Sequence, residues 1–287
     1  MKIRIIIIFI FTCNVIFSQN ILFNGDFESF SNCRNINLTF DSILCKYGPK
    51  PFYAEYWYFP LPVHADYLND SCPNSMRLFQ KEIYKEAPIH EGIGCVGFNL
   101  FGPDGFFEPI TGTFVTPMIK DSIYIISFSL CFMKGFSEFY SKKVGIKLTN
   151  DLQVYPLPFL REESNYIEMF KKGYFVQADY EMNISELADS TYWQEYSFSY
   201  KSKGGEKYIT IGMFYQPNYD LIKYCKQFRS YCWNKKAKPW LRINRNSPIL
   251  VFKGNISTFL NLDETQKSMC YYLLDDVSVT MKKSNYK

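Results

Sequence analysis

Four acidic residues near the two ends of the chain have side chains suited to binding a metal ion. Asp26 and Glu28 lie near the start, and Asp275 and Asp276 lie in the last strong strand pattern. Carboxylate oxygens are hard ligands, and Ca²⁺ binds about six to eight oxygens at once. If the two ends lie side by side, these carboxylates and nearby backbone carbonyls could form a structural calcium site. Alternatively, Asp26 ends a turn, Glu28 is solvated and Asp275 accepts backbone hydrogen bonds.

The strand pattern from Tyr271 to Thr280 must position two of these carboxylates. Alternate residues of a strand share a face, which predicts Leu273, Asp275, Val277 and Val279 on one side. The two valines suit a buried face, so Asp275 is expected to point toward the core at the start of the strand. A lone buried carboxylate is costly, so it needs a cation or several hydrogen-bond donors.

Both segments resemble the ends of galactose-binding-like jelly rolls, the sandwich of many carbohydrate-binding modules. The resemblance rests on Asn-Gly-Asp-Phe-Glu at 24–28 and Leu-Asp-Asp-Val-Ser-Val at 274–279. Blocks at 64–69 and 204–214 and the region of Trp193 are similar to uncharacterised secreted bacterial proteins that contain this sandwich. The resemblance implies an all-β fold with a structural calcium near the two ends, and it names no ligand.

Period-two hydrophobic patterns between these ends also predict strands. They occur at 122–132, 144–148, 193–200, 207–214 and in the final strand. No regular alternation with helices occurs, which favours an antiparallel β-sandwich, here a jelly roll, over a parallel sheet. We predict a single domain over 19–287 with long insertions at about 151–190 and 217–262. One or two short helices are compatible with the pattern, the first at 161–174.

The first 18 residues are typical of a secretory signal peptide. Lys2 and Arg4 precede an apolar run from Ile5 to Ile10, and this run is short for a membrane span. Cys13 lacks a good lipobox. We therefore expect an exported bacterial protein, secreted or held in the cell envelope at the periplasm or cell surface, without a transmembrane span in the mature chain.

Cysteine usage agrees with export. Removal of Cys13 from the nine cysteines leaves an even number, which suggests disulfides. The pairs close in sequence are Cys33/Cys45, Cys225/Cys232 and Cys72/Cys95, although eight cysteines allow about 105 connectivities. Zinc binding is poorly supported, because the chain has no Cys-x-x-Cys and only two histidines.

Aromatic residues make up 19% of the chain, and four of them are candidates for stacking on sugars: Trp57, Tyr58, Trp233 and Trp240. The last two lie in the insertion at 217–262, which is rich in lysine and arginine. That insertion could bind an anionic glycan or surface polysaccharide, or it could be a solvated loop packed on the sandwich. The alternative for Trp57 is a place in the core. The nearly balanced charge gives no reason to expect nucleic acid.

Enzyme motifs are lacking. The chain contains neither Gly-x-Ser-x-Gly nor His-Glu-x-x-His, and two histidines offer few catalytic bases. Neighbouring carboxylates such as Glu162 and Glu163 could serve a glycosidase, but spacing in sequence says nothing of separation across a cleft. We expect a non-catalytic binding protein with a glycan as ligand. The alternative is a structural or adhesive envelope protein that docks another protein.

Overall fold

The structure is a computed structural model, and every structural statement below concerns the residues that it describes. These residues form β-strands and no helix, so none of them belongs to an apolar helix of membrane-spanning length. The described ranges are 19–30, 54–60, 65–71, 89–101, 107–133, 139–153, 177–184, 192–214, 250–252 and 270–282.

One five-stranded antiparallel sheet contains the final strand and is called here the β12 sheet. Its strand order is β2-β3-β12-β5-β9, so β12 lies at the centre between β3 and β5. The strands are β2 (Asp66–Asn69), β3 (Gly94–Phe101), β5 (Ile123–Phe132), β9 (Gln194–Lys201) and β12 (Cys270–Met281).

A second five-stranded antiparallel sheet, the facing sheet, has the order β1-β4-β10-β7-β8. A small two-stranded sheet pairs β11 with β6. The strands of these two sheets are β1 (Trp57–Tyr58), β4 (Ile110–Thr113), β6 (Phe139–Ser141), β7 (Lys143–Thr149), β8 (Tyr180–Asn183), β10 (Tyr208–Gly212) and β11 (Leu250–Phe252).

The two large sheets bury one shared hydrophobic core. In β5, Ile126, Phe128, Leu130 and Phe132 are fully buried and belong to that core, as the alternating pattern predicts. The facing sheet contributes residues such as Ile209 and Ile211 of β10 to the same cluster. This common core confirms the predicted all-β, antiparallel β-sandwich.

The two ends of the described chain pair with each other. The amide of Ile21 donates to the carbonyl of Val279 at 2.9 Å, and the amide of Val277 donates to the carbonyl of Gly25 at 2.8 Å. The side-chain oxygen of Asn20 accepts a 2.8 Å hydrogen bond from the amide of Val279. The expectation that the beginning and the end lie side by side is therefore met by direct backbone contacts.

A β-bulge in β12 changes the predicted facing of its side chains. Asp275 pairs with Ser129 and Ser278 pairs with Ser127, so two residues of β12 stand opposite one residue of β5. Asp276 adopts a left-handed φ of 49° at this point.

The expectation that Asp275 shares the face of Val277 and Val279 is therefore wrong. Leu274, before the bulge, belongs to the sandwich core, and so do Val277 and Val279 after it. Leu273 instead belongs to a separate cluster on the outer face of the β12 sheet. Asp275, two residues after Leu273, lies on that outer face and is nevertheless completely buried.

Parts of the predicted insertions form strands. Residues 180–183 of the first are the edge strand β8, and residues 250–252 of the second are β11. The predicted signal peptide at 1–18, the possible helix at 161–174, and the Cys33/Cys45 and Cys225/Cys232 pairs lie outside the described residues.

A network of hydrogen bonds around Glu206 fastens the turn before β10. The Glu206 carboxylate accepts from the hydroxyls of Tyr200 and Ser202 at 2.9 and 2.7 Å, and from the amides of Lys203 and Gly204 at 2.7 and 2.9 Å. Burial raises the pKa of Glu206, but these hydrogen bonds outweigh it and hold the pKa below its usual value.

We expect Glu206→Gln to lower the free energy of unfolding at pH 7 by about 2–3 kcal/mol, because charge-assisted hydrogen bonds are lost. A carboxyl with a lowered folded-state pKa stabilises the fold above its unfolded pKa and loses this effect as pH falls through the folded pKa. The difference between the two proteins should therefore shrink below about pH 4. Urea denaturation from pH 3 to 8 measures this difference in unfolding free energy, with Glu55→Gln, at an exposed position, as the control. A difference that does not change with pH would contradict the lowered pKa of Glu206.

Candidate functional site

A polar cleft of about 690 Å³ opens at the bulge, on the outer face of the β12 sheet. We call it the bulge cleft. Serine hydroxyls from β5 and β12 and asparagines from the first described segment line it, together with Asp26, His90, Glu91, Trp193, Glu195 and Asp276. No lysine or arginine is among these described lining residues, so the cleft carries mainly negative charge.

His90 and Asp276 are in hydrogen-bonding contact at the wall of the cleft. His90 Nδ1 lies 2.5 Å from Asp276 Oδ2, and about a third of each side chain is exposed. The ring of Trp193 lies against His90, with 5.3 Å between the ring centroids. The bulge brings Asp276 to this position, because the left-handed φ of 49° keeps its side chain on the outer face beside Asp275.

Asp275 places a buried carboxylate next to this pair. Its Oδ1 accepts a 2.8 Å hydrogen bond from the amide of Asp276, whereas Oδ2 is buried and has no hydrogen-bond partner. The pKa of Asp275 is raised to about 8, mainly by burial and in addition by the Asp276 carboxylate, although hydrogen bonds from the backbone amides of Asp276 and Glu91 oppose the shift. One ligand atom from each of His90, Asp275 and Asp276 lies within 4.8 Å of the others.

Glu28 serves a different purpose. Its Oε1 accepts hydrogen bonds from the amides of Ile93 and Gly94 at 2.8 and 3.0 Å, and its Oε2 lies 3.1 Å from the Ile93 amide. A Cβ on Gly92, whose φ is 67°, would come within 2.2 Å of this carboxylate. Glu28 therefore holds the turn that carries His90 and Glu91 against the N-terminal segment.

The predicted calcium ligands are only partly assembled. Asp26 lines the bulge cleft, and Asp275 and Asp276 lie together at the bulge. Glu28 directs both oxygens at backbone amides, so the four carboxylates do not converge as an all-oxygen set. The presence of calcium stays a prediction. The orphaned oxygen of Asp275 fits a cation, and the group of possible ligands around Asp275 and Asp276 includes a histidine, His90.

Sequence reasoning did not identify His90 as a site residue. The only signal was its rarity, since the chain has two histidines, and nothing in the local pattern connected it with residues 275 and 276. The register of β3 and β12 and the Glu28 contacts bring them together.

The structure describes two of the four predicted sugar-stacking residues. Trp57 is fully buried, packs on Phe27 with ring centroids 4.7 Å apart, and donates from Nε1 to the carbonyl of Asn24 at 2.8 Å. Its ring offers no face to an external ligand, in agreement with the alternative of a core tryptophan. Tyr58 is half-buried, and Trp233 and Trp240 lie outside the described residues.

Cys95 is a buried free thiol in β3, so the suggested Cys72/Cys95 disulfide is not formed. Burial raises the pKa of this thiol, which makes it a poor nucleophile. Cys95 instead packs as a small apolar residue beside Leu68 and Leu273, in the separate hydrophobic cluster on the outer face of the β12 sheet.

Comparison with known proteins gives only weak structural likenesses. The K1 cleaved adhesin domain of Lys-gingipain from Porphyromonas gingivalis W83 is 13% identical, with a TM-score of 0.28 over 68% of this chain and 76% of that one. The K2 cleaved adhesin domain of Lys-gingipain is 8% identical, with a TM-score of 0.29 over 80% and 91%. No protein-family model and no curated protein matches the chain. Scores this low carry no argument, so function must be argued from the cleft itself.

Proposed function

We propose that the protein is an exported, non-catalytic binding protein that recognises a saccharide in the bulge cleft. The observation that carries this proposal is the combination of one half-buried tryptophan with many hydrogen-bonding groups in a cleft of about 690 Å³. Small-molecule sites of this kind pair an apolar or aromatic wall with a few fixed polar groups.

Trp193 supplies the aromatic wall. It lies directly before β9, is half-buried, and packs against the outer-face cluster of the β12 sheet. This packing holds the indole in place, so little conformational freedom is lost when a sugar ring stacks on it. The surrounding carboxylates, serine hydroxyls and asparagine amides can accept or donate hydrogen bonds to sugar hydroxyls.

The charge of the cleft narrows the ligand class. Asp26, Glu91, Glu195 and Asp276 face it, and His90 is the only potentially cationic side chain among its described lining residues. Anionic polysaccharides would be repelled here, so we propose a neutral or amino-bearing saccharide. For an anionic glycan, the lysine-rich insertion at 217–262 stays the alternative that the sequence predicts.

A glycan array carrying neutral, amino-bearing and anionic saccharides tests the proposal. We expect binding of a neutral or amino-bearing saccharide, weakened at least about tenfold by Trp193→Ala, since buried aromatic contacts dominate such sites. Tyr192→Ala is the matched control, because Tyr192 is the adjacent residue, is exposed and does not line the cleft.

Three results would contradict the proposal. Equal binding by the Trp193→Ala protein, with loss in Trp233→Ala or Trp240→Ala, would move the site to the insertion. A preference for anionic saccharides would also place the binding site in the insertion rather than in the bulge cleft. Absence of any glycan binding, with capture of an envelope protein by the intact chain, would favour a docking or adhesive function instead. Repeating the array with EDTA shows whether a divalent cation takes part.

A further inference from the structure

We propose that His90, Asp275 and Asp276 form a binding site for a divalent transition metal ion of the zinc type, rather than an all-oxygen calcium site. The proposal rests on the three side chains that meet at the bulge and on a carboxylate oxygen of Asp275 that is buried without a hydrogen-bond partner.

The first observation is the convergence of the ligand atoms. A histidine nitrogen and two carboxylate oxygens lie within 4.8 Å of one another, and His90 Nδ1 lies 2.5 Å from Asp276 Oδ2. Consecutive residues of a regular strand point to opposite faces. Asp275 and Asp276 reach the same site only because the bulge interrupts that alternation.

The second observation is independent of the cluster. Asp275 is completely buried, and its Oδ2 has no hydrogen-bond partner. Leaving a buried polar atom unpaired destabilises the fold, and the cost is larger for a charged group. A cation bound between Asp275 and Asp276 would give this oxygen a partner.

The ligand types decide the class of metal. Ca²⁺ takes oxygen ligands, whereas imidazole nitrogen suits zinc, copper, iron and nickel, and zinc commonly combines histidine with carboxylates. Glu28, which an all-oxygen site would need, is engaged by the amides of Ile93 and Gly94. Those same contacts fasten the chain three residues after His90, whose imidazole Nδ1 lies against the Asp276 carboxylate.

The surroundings of the cluster also favour a cation. Asp26, Glu91 and Glu195 line the cleft beside it, and no lysine or arginine is among the described lining residues to compete for the carboxylates. The cleft gives an ion a route from solvent and leaves room for water to complete the coordination.

Isothermal titration of the metal-free protein with Zn²⁺ and, separately, Ca²⁺ tests the proposal. We expect one Zn²⁺ per chain, bound more tightly than Ca²⁺, with a higher midpoint of thermal unfolding in zinc. His90→Ala should weaken zinc binding at least about tenfold, since loss of an outer-shell partner alone costs about 10–100-fold. The matched control is His64→Ala, which removes the other histidine and should leave affinity unchanged.

A second variant and a spectrum distinguish metal binding at this cluster from metal binding elsewhere in the protein. Asp275→Asn keeps the shape of the side chain and should also lose zinc affinity, whereas the exposed Asp121→Asn should not. Because His90 is partly exposed, its variant is expected to fold even if Asp275→Asn does not. Cobalt substitution should give a spectrum without a thiolate charge-transfer band.

The proposal is overturned if zinc does not bind stoichiometrically, if His90→Ala binds zinc as well as the unmodified protein, or if a thiolate band shows that cysteines hold the metal. Tighter binding of Ca²⁺ than of Zn²⁺, unaffected by His90→Ala, would also overturn it in favour of an oxygen-only calcium site. None of these readouts requires a saccharide, so failure of the glycan proposal would be recognised separately.

Discussion

Replacing Trp57 with alanine is expected to lower the free energy of unfolding by about 3–5 kcal/mol, the usual cost of removing a large buried aromatic side chain. The indole is fully buried in the sandwich core and packs on Phe27. A Cβ on Gly112 would lie only 3.0 Å from the indole, so this glycine leaves the space that the ring fills. The substitution would leave a cavity and would remove one of the two hydrogen bonds that the Asn24 carbonyl accepts, the other coming from the amide of Phe27.

Chemical denaturation measures this effect, and two further variants show its origin. Trp57→Phe keeps most of the packing and loses the hydrogen bond, so we expect a smaller loss of about 1–2 kcal/mol. Tyr192→Ala removes an aromatic side chain that is 77% exposed and should change stability by less than about 0.5 kcal/mol. If Trp57→Ala were nearly neutral for folding yet abolished saccharide binding, the placement of Trp57 in the core would be contradicted.

Gly25→Ala should be the most disruptive small substitution in the segment that joins the two ends. A Cβ at Gly25 would lie 1.9 Å from the carbonyl oxygen of Val277, and a backbone atom cannot move aside as a flexible side chain can. The amide of Val277 donates to the Gly25 carbonyl at 2.8 Å. The added methyl group would therefore push apart the two strands that this hydrogen bond joins.

We expect Gly25→Ala to cost about 2–3 kcal/mol of unfolding free energy, at the upper part of the usual range for overpacking. Ser29→Ala is the control, since Ser29 is exposed in the same segment. Hydrogen exchange provides the local measurement: the Val277 and Ile21 amides should lose protection in the Gly25→Ala protein. Unchanged protection and stability would contradict the close pairing of the two ends.

The period-two patterns were sufficient to predict the fold class. Strand β5 shows why, because Ile126, Phe128, Leu130 and Phe132 alternate along it and all four are buried in the core. The same rule failed in β12, where an inserted residue reverses the alternation between Leu274 and Val277. A bulge depends on pairing with a neighbouring strand, so the sequence of β12 alone cannot reveal it.

The candidate site could be predicted only in part for the same reason. Asp275 and Asp276 were recognisable as chemically unusual in a hydrophobic strand, and Asp26 was recognisable as a partner from the opposite end. His90 lies 186 residues before Asp276, and no local pattern reports that they meet. The engagement of Glu28 by the amides of Ile93 and Gly94 likewise depends on tertiary structure.

The central position of β12 has a consequence for the order of assembly. This strand is the last one of the described chain in sequence, yet it separates β3 from β5 and also pairs with the first described residues. The sheet therefore cannot close until residues 270–281 are in place. Contacts between such distant parts of a sequence form slowly. We therefore expect β3 and β5 each to keep an unpaired edge until β12 pairs with both of them.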